Sequence, residues 1–149
     1  MRFTITCNME ENNMLSKPYA GWTEFTLEDF KVHGSDLTDI PLEWMRAAVH
    51  GMKYYTPAAF YLDEEGAETT IAVNEYRTYI IRQHNGETLK TIHMGLFRFT
   101  EMLVADIREN LDSWVYWSLE CCRNATFEER KAELQALIDE AEALLNPKK

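Results

Sequence analysis

The hydrophobic period of this chain changes at Gly95, and that change limits the folds open to it. Downstream, Leu96, Phe99, Leu103, Ile107, Leu111 and Trp114 recur every three or four residues, the spacing of one face of an α-helix. Upstream, short apolar runs alternate with turn residues, which is how strands read. Strands first and helices afterwards give an α+β chain with an antiparallel sheet, because parallel neighbours each need a long crossover between them.

Asn85-Gly86 is the sharpest turn signal. Both residues tolerate positive φ and suit the two-residue type I′ hairpin. It joins strands over 77–84 and 87–94, pairing His84 with Glu87 and setting His93 opposite Thr78. A second hairpin is expected at Asp63-Glu64-Glu65-Gly66, between a strand beginning near Ala58 and its return over 69–74. There Gly66 takes the left-handed position of a three-residue loop. Residues 1–8 alternate apolar and polar and read as a first strand, followed by a loop over 10–17. Trp22, Phe25, Leu27, Phe30 and Val32 fit neither period; they read as a strand with a bend, the alternative being a helical turn at 27–30. The sum is a sheet of about five or six strands.

One helix is inserted over 41–54, capped by Thr38 or Asp39, opened by Pro41 and stopped before Pro57. Ile40, Trp44, Ala47, Ala48 and Met52 face inward on it. The long helix starts between Gly95 and Thr100 and ends near Cys121. Thr126-Phe127-Glu128-Glu129 is the capping-box pattern that opens the last helix. Its stripe is Phe127, Leu134, Leu137, Ile138, Ala141, Leu144 and Leu145, and Asn146-Pro147 stops it. The two C-terminal helices are expected to pack antiparallel through Leu103, Ile107, Leu134, Ile138 and Ala141, on one face of the sheet.

At 149 residues, with no repeat and no long Gly, Ser or Pro linker, the chain reads as a single domain. Cys7, Cys121 and Cys122 are odd in number and lack a recurring spacing, so three reduced thiols and a cytoplasmic location are expected. No apolar run approaches the ~18 residues that cross a bilayer. The net charge is −10, with 12 acidic and 5 basic residues in 1–68 against 13 and 10 in 69–149. That field repels phosphate and anionic lipid, so neither direct nucleic-acid binding nor membrane binding is expected.

Phosphate loops, dinucleotide turns, zinc helices and nucleophile elbows are all missing from the sequence. No cofactor and no metal site is expected. Asp106, Glu109 and Asp112 recur on one side of the long helix and read as its water-facing stripe. Trp114-Val115-Tyr116-Trp117 covers nearly the whole helical circumference, at about 100° per residue. This end is therefore either enclosed by the core or an aromatic interface, which Tyr54, Tyr55, Tyr76 and Tyr79 could join.

These residues describe a small acidic protein-binding module, of the kind that inhibits or neutralises a basic protein partner, or that mimics nucleic acid. The expected partner-binding surface comprises Glu28, Asp29, Asp36, Asp39, Asp63, Glu64, Glu65 and Glu68, with Glu24 nearby, and Trp114, Tyr116 and Trp117. The aromatic set would serve docking or a homodimer. Two alternatives stand beside it. One is an enzyme using His84 or His93 with Arg77, Arg82 or nearby carboxylates, and the other is a small-ligand binder between sheet and helices in which tyrosines stack on or hydrogen-bond a planar molecule.

Overall fold

The computed structural model describes residues 13–83, 86–117 and 125–147. In chain order the elements are β1 (Trp22–Leu27), β2 (Phe30–Ser35), α1 (Ile40–Tyr54), β3 (Ala58–Asp63), β4 (Glu68–Val73), β5 (Thr78–Arg82), β6 (Thr88–Ile92), α2 (Leu96–Glu109), α3 (Leu111–Tyr116) and α4 (Phe127–Leu145). The fold is α+β, with two antiparallel sheets rather than one: a β1-β2 ribbon and a four-stranded meander β3-β4-β5-β6. The expected first strand over 1–8 lies outside the described residues.

The interval read as a bent strand is this ribbon. Leu27 pairs with Phe30, leaving Glu28-Asp29 as a two-residue turn with Glu28 at φ 54°. Left-handed backbone is usual for Gly or Asn and rare for Glu, so the turn carries no compositional signature. The ribbon does not extend the meander. A Cβ on Gly34 would lie 2.6 Å from the Leu62 side chain, and Asp29 Oδ1 lies 2.6 Å from Lys90 Nζ. Leu62 belongs to β3 and Lys90 to β6, the two outer strands, so the ribbon crosses one face of the meander through side chains.

That face is the inner one. Ala58, Phe60 and Leu62 on β3, Thr69, Ile71 and Val73 on β4, Thr78 and Ile80 on β5, and Ile92 on β6 are all buried, which is the period of two expected of a sheet covered on one side. Phe60 stacks on Phe99 of α2 (centroids 4.6 Å) and leans on Trp44 of α1 (5.2 Å). Phe25 of the ribbon meets Trp44 edge-on at 6.0 Å. The outer face, with Ala59, Tyr61, Thr70, Ala72, Tyr79, Ile81 and Thr91, is half-buried to exposed.

Both expected hairpins form in the meander, but with turns of other lengths than expected. At the acidic turn Glu64 N–H donates to Ala67 O (2.8 Å), and the two residues between, Glu65 (φ 59°) and Gly66 (φ 137°), both have positive φ. This is the sign pattern of a primed two-residue turn, not a three-residue loop. At the second, Arg82 N–H donates to Glu87 O (2.8 Å) and Gly86 N–H to Arg82 O (2.9 Å), so four residues intervene. Gly86 takes the left-handed position at φ 69°; Asn85 lies outside the described residues. A bulge between Ile80 and Ile81 then shifts the register, and Thr78 faces Ile92 rather than His93.

The long helix is broken. α2 starts at Leu96, and Asn110 leaves helical geometry (φ −130°, ψ 47°) before α3 begins. Asparagine competes for backbone hydrogen bonds and is a poor interior helix residue. α3 ends at Tyr116, short of the expected 121. The capping box of α4 forms as expected: Thr126 Oγ1 accepts from Glu129 N–H (3.1 Å), and Thr126 N–H donates to Glu129 Oε1 (3.0 Å).

The expected C-terminal pair is only part of the packing around α4. Ion pairs Arg108–Glu142 and Lys131–Asp112 set α4 antiparallel to α2 and α3. Arg46–Glu133 and Lys53–Glu140, each seven residues further along both helices, set it parallel to α1. The buried arc of α1 explains this. Trp44 turns to the sheet, while Leu42, Met45 and Val49, also buried, lie round the helix toward Arg46 and Lys53.

Candidate functional site

The meander has two ends. One carries the β3–β4 turn and the β5–β6 connection, with the ribbon laid across the sheet beside them; the other carries the β4–β5 turn and both chain entries to the helices. The acidic residues gather at the first end, yet they are not equivalent there. Glu24 faces Lys31 (3.9 Å) and His33 (3.6 Å) on the outside of the ribbon. Asp29 is matched by Lys90, whose hydrogen bond holds its carboxyl below the ordinary value. Asp36 is half-buried, against Gly21.

Asp39 is not a free surface carboxylate. Its oxygens accept from Arg130 Nη1 (2.9 Å) and Nη2 (3.2 Å). Arg130 is buried, and it also donates from Nε to Val115 O (2.8 Å) and from Nη2 to Trp117 O (2.6 Å). One guanidinium thus joins α4 to the cap of α1 and the end of α3, in the fork geometry that arginine supplies.

The β3–β4 turn differs in kind. Asp63 Oδ1 accepts from Glu65 N–H (2.7 Å) and Glu64 Oε2 accepts from Thr69 Oγ1 (2.7 Å). These bonds hold the turn but bring no counter-charge. Among the described residues none of Asp63, Glu64, Glu65 or Glu68 has a cationic partner, and Glu65 and Glu68 are exposed. Glu28 is exposed at the ribbon turn, within the field of Lys90.

Trp114 and Trp117 are buried, with ring centroids 5.2 Å apart, and Trp117 Nε1 donates to Thr38 O (2.8 Å). Tyr116 points away from them and is 61% exposed, its ring 4.7 Å from Phe127. The surface at this end is therefore tyrosine, with Tyr19 and Tyr116 lining a shallow depression beside Asp36.

The other tyrosines do not join it. Tyr55 caps the far end of α1, about 22 Å along a 15-residue helix from the Thr38 contact. There Tyr55, Pro57, Glu75, Tyr76, Leu96 and Phe97 line a cleft of about 270 Å³. Gly95 makes this junction possible: a Cβ there would lie 1.9 Å from Glu75 O. Leu96 N–H donates to Asn74 O (2.9 Å) across the same contact. Tyr79 sits instead on the outer sheet face, paired with Ala72.

Asp106 contradicts the water-facing reading of its stripe. It is buried, and its Oδ2 accepts from Met14 N–H and Leu15 N–H, both at 2.8 Å. Burial pushes its carboxyl up to about 6 against the pull of those two donors, and Glu109 adds to the rise. Met14 O then accepts from Thr26 N–H (2.8 Å), so Asp106 ties α2 to the edge of the ribbon.

His93 is exposed, while His84 lies outside the described residues, as do all three cysteines. Among the described residues no group of three or more His, Cys, Asp or Glu could hold a metal ion, and no helix is long and apolar enough to cross a membrane. No protein-family model, curated protein or solved structure matches the chain.

Proposed function

We propose that this protein is a protein-binding module that meets a basic partner with the acidic end of its meander. The observation that carries the reading is the β3–β4 turn, where four carboxylates within six residues have no cationic partner among the described residues. Several carboxylates elsewhere in the same chain are matched, as in Asp29–Lys90, Asp39–Arg130 and Glu142–Arg108. A surplus of one sign on a rigid turn attracts opposite charge and speeds encounter. Inhibitors and immunity-type proteins work through such surfaces, and so do mimics of nucleic acid. Glu28 extends the surface along the ribbon turn; Asp39 and Trp117 support it from within. Self-association rests on Tyr19 and Tyr116, the exposed rings near the α3 end.

The test is a variant with Asp63→Asn, Glu64→Gln, Glu65→Gln and Glu68→Gln, compared with wild type for a partner recovered by affinity capture. At low salt its affinity falls by about tenfold, since exposed ion pairs are worth roughly 0.2–1 kcal/mol each. The wild-type complex weakens with salt more steeply than the variant's. Equal affinities, or a wild-type complex indifferent to salt, would remove the acidic turn from the interface.

A further inference from the structure

At the opposite end of the meander, we infer that the cleft between α1, the β4–β5 turn and α2 is a binding site for one arginine side chain presented by another protein. Three observations converge on a planar cation. The first is the walls. Tyr55 is 79% exposed, Tyr76 72% and Phe97 36%, and among the described residues none of the three makes a ring contact with another aromatic side chain. Their faces remain available, and an aromatic face attracts cations through its quadrupole.

The second is the sign of the local field. Glu75, an acidic residue, lines the cleft. The α1 C-terminus abuts it, where Tyr55 N–H and Thr56 N–H both return to Gly51 O, so the last carbonyls of the helix end there without intrahelical donors. Of the amides at the α2 N-terminus, which favours an anion, Leu96 N–H is taken by Asn74 O, and Glu75 O lies against Gly95. Nearby cations are engaged elsewhere, Lys53 with Glu140 and Arg98 with Glu101. Arg77 follows Tyr76 on the turn but does not line the cleft.

The third is size and openness. A volume of about 270 Å³ falls just under the ~300–1,000 Å³ of small-molecule pockets, which suits one side chain better than a nucleotide or a drug-sized ligand. Rings this exposed do not strip water from a compact, strongly hydrated ammonium. A guanidinium is weakly hydrated, stacks flat on tyrosine and presents its edge to a carboxylate, so arginine is selected over lysine. The site does not depend on the acidic turn, which lies at the other end of the sheet.

Tyr55 supplies the decisive variant. It holds a left-handed backbone at φ 55°, a position glycine takes without strain. Tyr55→Gly therefore removes a wall of the cleft while keeping or raising the denaturation midpoint. The probe is Nα-acetyl-arginine amide, titrated against the full chain with NMR observation of aromatic and backbone signals. Saturable shifts are expected at Tyr55, Tyr76, Phe97 and Glu75. The neutral citrulline analogue should give none, and the lysine analogue should bind more weakly. Tyr55→Gly and Tyr76→Ala abolish the shifts, and Glu75→Gln weakens binding by about fivefold, each with an unchanged or higher midpoint. The inference is overturned if citrulline binds as arginine does, if lysine binds more tightly, if shifts centre on the Asp63–Glu68 turn, or if Tyr55→Gly binds like wild type.

Discussion

Asp106 is the residue whose chemistry depends most on its surroundings. Its carboxyl stands at about 6 against an ordinary 3.8 because burial penalises the charge. Between those two values the unfolded chain has lost this proton and the folded chain keeps it. Its contribution to stability is therefore fully present below 3.8 and is lost as pH rises through about 6. A shift of that size corresponds to on the order of 3 kcal/mol. Asp106→Asn keeps an oxygen for the Met14 and Leu15 amides and removes the charge, so it should flatten this part of the pH–stability curve and match or exceed wild type at neutral pH. Asp106→Ala orphans two buried amides at about 1–3 kcal/mol each and should be less stable at every pH. Urea midpoints measured from pH 4 to 8 separate the two; a variant Asn curve parallel to wild type would contradict the assignment. Gly86 is simpler. Nothing lies within 4 Å of a Cβ placed there, so only its φ of 69° resists a side chain. Gly86→Val should lose about 1–2 kcal/mol, and Gly86→Asn clearly less; equal midpoints for the two variants would show that the turn imposes no such backbone.

Among the elements, α4 is held by a buried arginine as well as by its apolar stripe. Arg130 is buried, as are Leu134, Ile138 and Ala141, and it satisfies Asp39, Val115 O and Trp117 O together. Breaking a buried pair by removing one partner typically costs about 3–5 kcal/mol. Arg130→Met should approach that loss in a denaturant titration, and adding Asp39→Asn should restore only part of it, because two carbonyls stay unsatisfied. Full recovery in the double variant would reduce Arg130 to an ordinary ion pair. The signal for both buried charges was in the helical period. Arg130 falls between Phe127 and Leu134 on the stripe, and Asp106 falls three residues after Leu103 and one before Ile107. A charged residue at a stripe position is a candidate for burial with partners, but the partners, Asp39 and the Met14–Leu15 amides, lie 91–92 residues away.

For the whole molecule, packing assigns the tryptophans to the interior. Trp44, Trp114 and Trp117 are buried, and Trp22 is half-buried. Emission should be blue-shifted and weakly quenched by iodide, with the small accessible fraction belonging to Trp22 and abolished by Trp22→Phe. Strong quenching of the other three would contradict the enclosed α3 end. Burial of the tryptophans leaves the surface to tyrosine: Tyr19, Tyr54, Tyr55, Tyr61, Tyr76 and Tyr116 are all exposed. With the carboxylates of the β3–β4 turn, which have no cationic partner among the described residues, at one end and the tyrosine cleft at the other, the meander presents two chemically distinct surfaces.

What was legible in the sequence was local. The α+β class, the inserted helix, the meander strands and the capping box follow from period and from cap and stop residues, whose physics acts within a few residues. What only the tertiary structure decided was long-range. The ribbon lies across a sheet face instead of extending the sheet, because its contact is made by Gly34 and Leu62 rather than by a backbone ladder. Its turn was hidden because Glu28 holds a backbone that composition does not announce. Tyr55, Tyr76 and Phe97 share a cleft because antiparallel strands return three distant segments to one end of the sheet and Gly95 lets them close. Which carboxylates are neutralised was settled the same way, by cations that folding brings from elsewhere in the chain; period shows which face a residue takes, but not what that face will meet.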